Sequence, residues 1–300
     1  MAEVAPGQGS TAVVERRRSK LRRVWIGVVL VALVALLFLP GGAKETFEVS
    51  QEFTLHPIVK LPKVGPVDLS ITKAVIYLWI TVGVLAVIAL VVNRSLKAQP
   101  GRFQYAIEFL YELAHDGIAG SVMKSGCDTW FPYIGSVFFF VLTANLIGLI
   151  PLPFGEHGQL AFYAATGNLN VTVVLALFTF LFTQYAGVHN KGPLAYVRSW
   201  MPKGAPPFLR EFIFVIHIVS EVFRVVSLSV RLFANMVAGH AILAVFFAMA
   251  LIFQNYAIAV VLQGGSVIIF LFEIFVAVIQ AFIFAILSAV YIGGALEQEH

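Results

Sequence analysis

Three ionisable residues, Arg231, His240 and Glu273, stand in sequence that otherwise carries almost no charge. Arg231 lies in the middle of FIFVIHIVSEVFRVVSLSVRLFANMVAGHAILAVFFAMALIF, residues 212–253. A guanidinium keeps its proton at any physiological pH. Holding it at bilayer depth costs at least ~2.5–3.5 kcal/mol, and more where the side chain cannot reach an interface. Such a cation needs an anion, a water-filled cavity or a partner protein, so its position points to function. In a helix, residues seven apart nearly superimpose, which puts His217, Arg224, Arg231 and Ala238 on one stripe, with Ser220, Ser227 and Asn235 beside it. Plain helix packing accounts for Ser220, Ser227 and Ser229 equally well. Arg224 has Glu221 three residues before it, so an ion pair or snorkelling explains it. Arg231 has no such neighbour.

His240 follows Arg231 by nine residues and therefore projects from the opposite face. Glu273 occurs in VIIFLFEIFVAVIQAF, with Gln280 seven residues later on nearly the same face. If the two segments are antiparallel helices, His240 and Glu273 meet, and such a pair can hold and release a proton near neutral pH. For Asn235 and Gln280, an interhelical hydrogen bond is as good an explanation as a functional role. The sequence has no phosphate-binding glycine loop, no clustered metal ligands and no nucleophile–base spacing, so neither enzymatic chemistry nor a cofactor is expected. His115 and Asp116 read as a solvated polar pair. Cys127, the single cysteine, reads as a small inert thiol.

The elements that must position these residues are membrane helices. Apolar residues make up 59% of the 300, charged residues 12%, and mean hydropathy is +0.89, which fits an all-α polytopic membrane protein. The net charge of +4 is not a nucleic-acid signature, because six of the twenty Lys and Arg lie between Arg16 and Arg23, flanking the first apolar segment. Residues 1–43 form a basic extension with a disordered start, followed by the apolar run Val24–Leu39. That run fits either a short spanning helix or a signal-peptide core. Lys44–Lys73 reads as an aqueous segment at the head of a single transmembrane domain, 44–300.

Five core spans follow: Ala74–Val92, Trp130–Ile150, Val171–Val188, Phe212–Phe253 and Val267–Leu296, with an amphipathic surface helix within 99–129 and a turn region from Gln254 to Gly265. No proline occurs after Pro207, so the last two spans can be uninterrupted. A continuous helix over 212–253 would run about 63 Å against a hydrocarbon core of about 30 Å, which predicts a strongly tilted hairpin of long helices. Lys and Arg concentrate in 93–129 and 189–210 and are missing from Pro151–Asn170. The two basic segments are therefore expected in the cytoplasm, together with the C-terminus. No internal repeat is apparent, which weighs against an inverted-repeat transporter.

The run Ser227-Leu228-Ser229-Val230-Arg231-Leu232-Phe233-Ala234-Asn235-Met236 with Ala238-Gly239-His240 resembles the signature of subunit a of the F-type rotary ATP synthase. Thr54-Leu55-His56-Pro57, Phe131-Pro132 through Asn145-Leu146-Ile147-Gly148-Leu149-Ile150-Pro151, and Gln280-Ala281-Phe282-Ile283-Phe284 agree with it, so the likeness extends over about residues 50–296. The resemblance implies a non-catalytic stator subunit in a bacterial plasma membrane. Its partners would be a rotating ring of c subunits, a b-subunit peripheral stalk and, through the complex, a catalytic head. Arg231 would be the fixed cation opposite the ring's carboxylate, forcing it to ionise and blocking a proton short circuit. His240 and Glu273 match the paired protonatable positions of the inlet half-channel; in some members acid and histidine are exchanged between them. Asn235 and Gln280 match polar residues near the arginine, and Glu221 and His217 lie toward the exit.

Three departures stand out. His217 occupies a position where the family commonly has an acid. Asn168 replaces an aspartate often found in the inlet, so it can line water but not carry a proton. Val225 replaces a common proline. A His–Glu pair rather than a cluster of oxygen ligands points to H⁺ over Na⁺. The competing reading is a self-contained secondary transporter or channel, with Arg231 binding an anionic substrate.

Overall fold

The computed structural model describes residues 57–59, 70–96, 101–123, 126–150, 163–201, 206–252 and 256–297. The basic extension 1–43 with its Val24–Leu39 segment, and His56 of the Thr54–Pro57 motif, lie outside the described residues. Among the described residues the fold is all-α apart from one small ladder, in which β1 (Pro57–Val59) pairs antiparallel with β2 (Ile71–Thr72). That ladder falls in the segment the sequence marks only as aqueous.

Among the described residues, five helices are long and apolar enough to span a membrane: α1 (Lys73–Ser95), α3 (Cys127–Gly148), α4 (Leu169–Lys191), α6 (Pro207–Ile252) and α7 (Tyr256–Leu296). Between α1 and α3 lies α2 (Arg102–Glu112), which continues as a π-helical segment, Leu113–Gly120. The short α5 (Pro193–Ser199) follows α4. Sequence reading gives 189–210 only as a polar basic stretch, yet Pro193 occupies the first turn of α5, where a missing N–H does no harm. Gly192, at φ 81°, makes the sharp corner between the two helices.

Most of the stretch expected as a turn region, 254–265, is helix instead: α7 is helical from Tyr256 and runs through Gln263-Gly264-Gly265. Glycine and glutamine weaken a helix in water, where solvent competes for the backbone. Within an apolar environment every N–H and C=O must be satisfied inside the helix, so the same residues continue it.

The described residues form two compact units: Ala244–Ile269, and the remainder. In the first, the Phe246 ring lies against Gly265, where an added Cβ would come within 2.9 Å. In the second, α3 is the central element. Its Ile134, Phe138 and Val141 are buried with Ile118 of the π segment, Ala176 of α4, Leu228 and Leu232 of α6, and Phe284 and Ile292 of α7. Ala277, Ala281, Ala285 and Ala289 recur every fourth residue of α7 and are completely buried. Small side chains at this spacing let helices approach closely, the main source of cohesion where lipid is as apolar as leucine. Hydrogen bonds add to it: Tyr133 Oη–Thr179 Oγ1 at 2.7 Å and Thr179 Oγ1–Ser288 Oγ at 3.4 Å tie α3, α4 and α7 together. Trp79, Val82, Val87 and Leu90 of α1 are exposed, as a lipid-facing surface requires.

Two glycines make opposite stability predictions. A Cβ on Gly148 would lie 2.4 Å from the Ala164 methyl and 2.6 Å from its α-carbon, against backbone that cannot swing away. Gly148→Ala should lower stability by about 1–3 kcal/mol through overpacking. Gly83, in the middle of α1, has nothing within 4 Å, and Gly83→Ala should stabilise by up to about 1 kcal/mol. Thermal unfolding of the purified chain in one detergent would read both shifts, which should be opposite in sign.

Candidate functional site

The polar residues of α6 and α7 fall into an unpaired cation, a buried polar group on one side of it, and a water-accessible cluster on the other. Arg231 is exposed, as are Ser227, Ala234, Asn235 and Ala238 along the same face of α6. Among the described residues its guanidinium has no hydrogen bond and no ion pair. Arg224 differs: it donates to Glu221 Oε1, and its guanidinium lies 5.0 Å from the centroid of the Tyr291 ring. One arginine is therefore held inside the subunit and the other faces outward, among small side chains that leave its head accessible.

On the far side of Arg231, α6 and α7 run antiparallel. Asn235 Nδ2 donates to Gln280 Oε1 at 2.7 Å, Met236 packs with Ala277, and Gly239 lies against Glu273. Here the α7 partner number falls as the α6 number rises. Gln280 is only 1% exposed, and its Nε2 has no partner among the described residues. Glu273 is 6% exposed and neither carboxyl oxygen has a hydrogen-bond partner among the described residues. A polar group buried in this way is costly unless water, a proton or a further polar group reaches it.

His240 is buried on the face opposite Arg231, as the nine-residue spacing requires. Its Nδ1 lies 2.7 Å from Met236 O and its Nε2 3.0 Å from Gly148 O. Two carbonyl acceptors thus flank the ring, one from its own helix and one from the end of α3. Sequence reasoning expects His240 and Glu273 to meet. Among the described residues they share no hydrogen bond or ion pair, and the glutamate instead abuts Gly239, the histidine's chain neighbour. A Cβ at Gly239 would sit 2.7 Å from Glu273 Oε1, so the absent side chain is what makes room for the carboxyl.

The group extends to Asn145 and Thr166, to which sequence reading gives no role of their own. Thr166 Oγ1 donates to Asn145 Oδ1 at 2.7 Å, and Asn145 Nδ2 reaches Ala277 O at 3.4 Å, joining α3 and the turn before α4 to α7. Both side chains are fully buried. Asn168 is the N-cap of α4, accepting from Asn170 N at 2.9 Å. Burial pushes the nearby Tyr163 phenol up to about 12.

On the other side of Arg231, a cavity of about 460 Å³ opens between α4, α5, α6 and α7, bordered by Lys191, Tyr196, Trp200, His217, Glu221 and Arg224. Glu221 lies at its inner boundary, 6% exposed. Besides Arg224 it receives Gln184 Nε2 at 3.2 Å and has His217 Nε2 at 3.6 Å. The Trp200 ring lies over His217, centroids 4.8 Å apart. Gln184 is a functional candidate that sequence reading passes over, although a glutamine inside the Val171–Val188 span is itself a signal. Arg231 lines neither this cavity nor the small one beside it.

Comparisons with known proteins agree with one another. A family model described as ATP synthase A chain matches residues 75–293. The chain is similar to ATP synthase subunit a of Rubrobacter xylanophilus, 38% identical over 239 residues, 79% of this chain and 88% of the relative. It is 37% identical to ATP synthase subunit a of Pelodictyon phaeoclathratiforme over 258 residues, 82% of this chain and 73% of the relative. Against ATP synthase subunit a of Afipia carboxidovorans it is 35% identical over 255 residues, 83% of this chain and 98% of the relative. The family model spans most of the chain, from the start of α1 almost to the end of α7, and the relatives match over most of their own lengths, so this multi-pass membrane protein belongs to the ATP synthase subunit a family.

Proposed function

We propose that this chain is the proton-translocating stator subunit of an F-type ATP synthase in a bacterial plasma membrane, with its C-terminus in the cytoplasm. Its function is to hold Arg231 against the carboxylates of a rotating c ring and to supply one aqueous path to each side of that contact. The observation that carries this reading is an accessible guanidinium, without an intramolecular counter-ion among the described residues, in mid-course of the 46-residue helix α6. A cation that its own subunit leaves unneutralised is suited to a partner's anion.

The cavity above Glu221 serves as the cytoplasmic exit, lined by His217, Arg224 and Trp200, with Gln184 holding Glu221 from behind. The group of Glu273, His240, Gln280, Asn235 and Asn168 serves as the external inlet, with Glu273 and His240 passing the proton. At 1.5 Å per residue, Glu221 and His240 lie roughly 15 Å to either side of Arg231 along the helix. A proton cannot bridge that gap past a fixed cation, and it crosses only by riding a ring carboxyl. Each such passage draws about 2.3 kcal/mol per 100 mV of membrane potential. The chain supplies no catalytic group for ATP; a b-subunit stalk and a catalytic head complete the machine. Tilting α6 and α7 steeply keeps both in contact with the ring across the membrane.

The transporter reading instead needs a substrate cavity around Arg231 within the chain, whereas Arg231 lies on the outer face of α6. Purified chain in liposomes, under an imposed potassium diffusion potential, should pass neither protons nor anions above the lipid background. The membrane sector reassembled with its ring should raise proton flux at least ~100-fold. Anion flux through the chain alone would overturn the assignment.

A further inference from the structure

One constellation lies outside the proton path, where the π segment meets the first turn of α3. The geometry points to a binding site there for a thiophilic divalent cation of the zinc class, with His115 Nε2, Cys127 Sγ and a carboxylate oxygen of Asp128 as ligands and Asp116 as the residue that positions the ring.

These three ligand atoms all lie within 4.8 Å of one another, although His115 and Asp128 are 13 residues apart. The fold brings them together in two steps. Gly126, at φ 73°, turns the chain in the left-handed region, so that Cys127 and Asp128 open α3 beside the π segment. The widened π turn carries His115, a kind of distortion frequent at functional positions. Its ring is fixed from two sides, stacked on Tyr111 with centroids 6.0 Å apart and edge-on to Phe131 at 4.6 Å.

The hydrogen bonding fits the metal-binding tautomer. Nδ1 lies 2.6 Å from Asp116 Oδ1, so its proton is donated there. In a neutral ring Nε2 then presents a lone pair, and it faces Asp128 Oδ1 at 3.3 Å. Two electron-rich atoms face each other at this distance only with a proton or a cation between them. The separation is also the N···O edge, about 3.3–3.4 Å, of a tetrahedron built on zinc bonds of about 2.0–2.2 Å. The Cys127 sulfur, within 4.8 Å of both, would have to close on the cation by rotating about its side chain, and Asp128, largely exposed, leaves the fourth position to water. A carboxylate behind the imidazole, as Asp116 stands here, is the usual support of a metal-bound histidine. The thiolate favours zinc over magnesium or calcium. Sequence reading takes His115 and Asp116 as solvated and Cys127 as inert, because nothing local to either shows that Asp128 returns to the same place.

A cobalt titration of the full chain in lipid nanodiscs tests the assignment, since thiolate-to-cobalt charge transfer can come only from its one cysteine. One Co²⁺ per chain should bind with a charge-transfer band and a tetrahedral visible spectrum, and Zn²⁺ should displace it. C127S should remove the charge-transfer band. H115A and D128N should each weaken binding at least ~10-fold, and D116N about 10-fold while keeping the band, as for other residues that support a ligand. Asp116 and Asp128 are exposed, so their amide variants should fold as the parent does. Absence of the band, or a band whose affinity H115A and D128N leave unchanged, would reduce the site to a reactive thiol or to a protonated His–Asp pair and overturn it.

Discussion

Arg231→Ala in an otherwise complete complex should reduce ATP-driven proton uptake to below ~1% of the parent, with the complex still assembled. The expectation follows from electrostatics. A guanidinium about 4 Å from a carboxylate, at an effective dielectric constant of 20, stabilises the ionised form by about 4 kcal/mol. At 1.36 kcal/mol per decade that is roughly a thousandfold change in the ratio of ionised to protonated ring carboxyls. Without it, a carboxyl arriving from the inlet has no reason to release its proton at the stator. Arg231→Lys should recover little, because a lysine is a compact point charge that can lose its proton when desolvated and lacks the planar fork matched to carboxylate.

A second readout separates this role from a structural one. On the proposed mechanism, removing the fixed charge also removes the barrier to protons moving between the two half-paths, so Arg231→Ala should leak protons passively under an imposed pH gradient while pumping is lost. A scaffold role for Arg231 predicts loss of assembly and no leak. Ser227, Ala234 and Ala238 leave the face around Arg231 open, and Arg231 itself is exposed and unbonded among the described residues, so truncation should not disturb the subunit's own packing. Pumping retained in the alanine variant would remove the basis of the proposed mechanism.

The spans were legible because apolar runs and their charged ends are local properties. Ala74–Val92 becomes Lys73–Ser95, and Val171–Val188 becomes Leu169–Lys191, each helix gaining a few polar residues at its ends. Arg231 was legible for the same reason, as a charge whose apolar neighbours advertise its cost. Residues defined by distant partners were not. Asn145 and Thr166 matter because they bond each other and the α7 backbone, Gln184 because it reaches Glu221 across two helices, and Asp128 because it returns to His115. Gly239 and Gly148 carry no chemistry of their own and become visible only as the surfaces on which Glu273 and His240 rest. The start of α7 is not legible because Gln263-Gly264-Gly265, which weaken a helix in water, continue one within a span apolar enough to cross a membrane.

Glu273→Gln should lower proton flux through the assembled complex by two orders of magnitude or more, and the reason lies in the seat of this carboxyl. Both oxygens are buried, neither has a hydrogen-bond partner among the described residues, and Gly239 provides the space they occupy. The amide has the same shape and burial, so packing survives, but it cannot take up or release a proton. Filling the seat should act by a different route. Gly239→Ala puts a methyl within 2.7 Å of Glu273 Oε1 and must push the carboxyl aside, slowing flux with the acid still present. The role assigned to His240 adds a sharper test. If the two side chains act as one proton-passing unit, His240→Glu and Glu273→His should each impair flux strongly, and the double exchange should restore at least ~10-fold over either single change. In a thermodynamic cycle that restoration is a coupling between neighbouring sites, of the kind that independent residues do not show. Additive losses in the double variant would mean that the proton reaches the ring by a path on which His240 and Glu273 do not cooperate, and the inlet would have to be traced instead through Gln280, Asn235 and the buried Asn145–Thr166 bond.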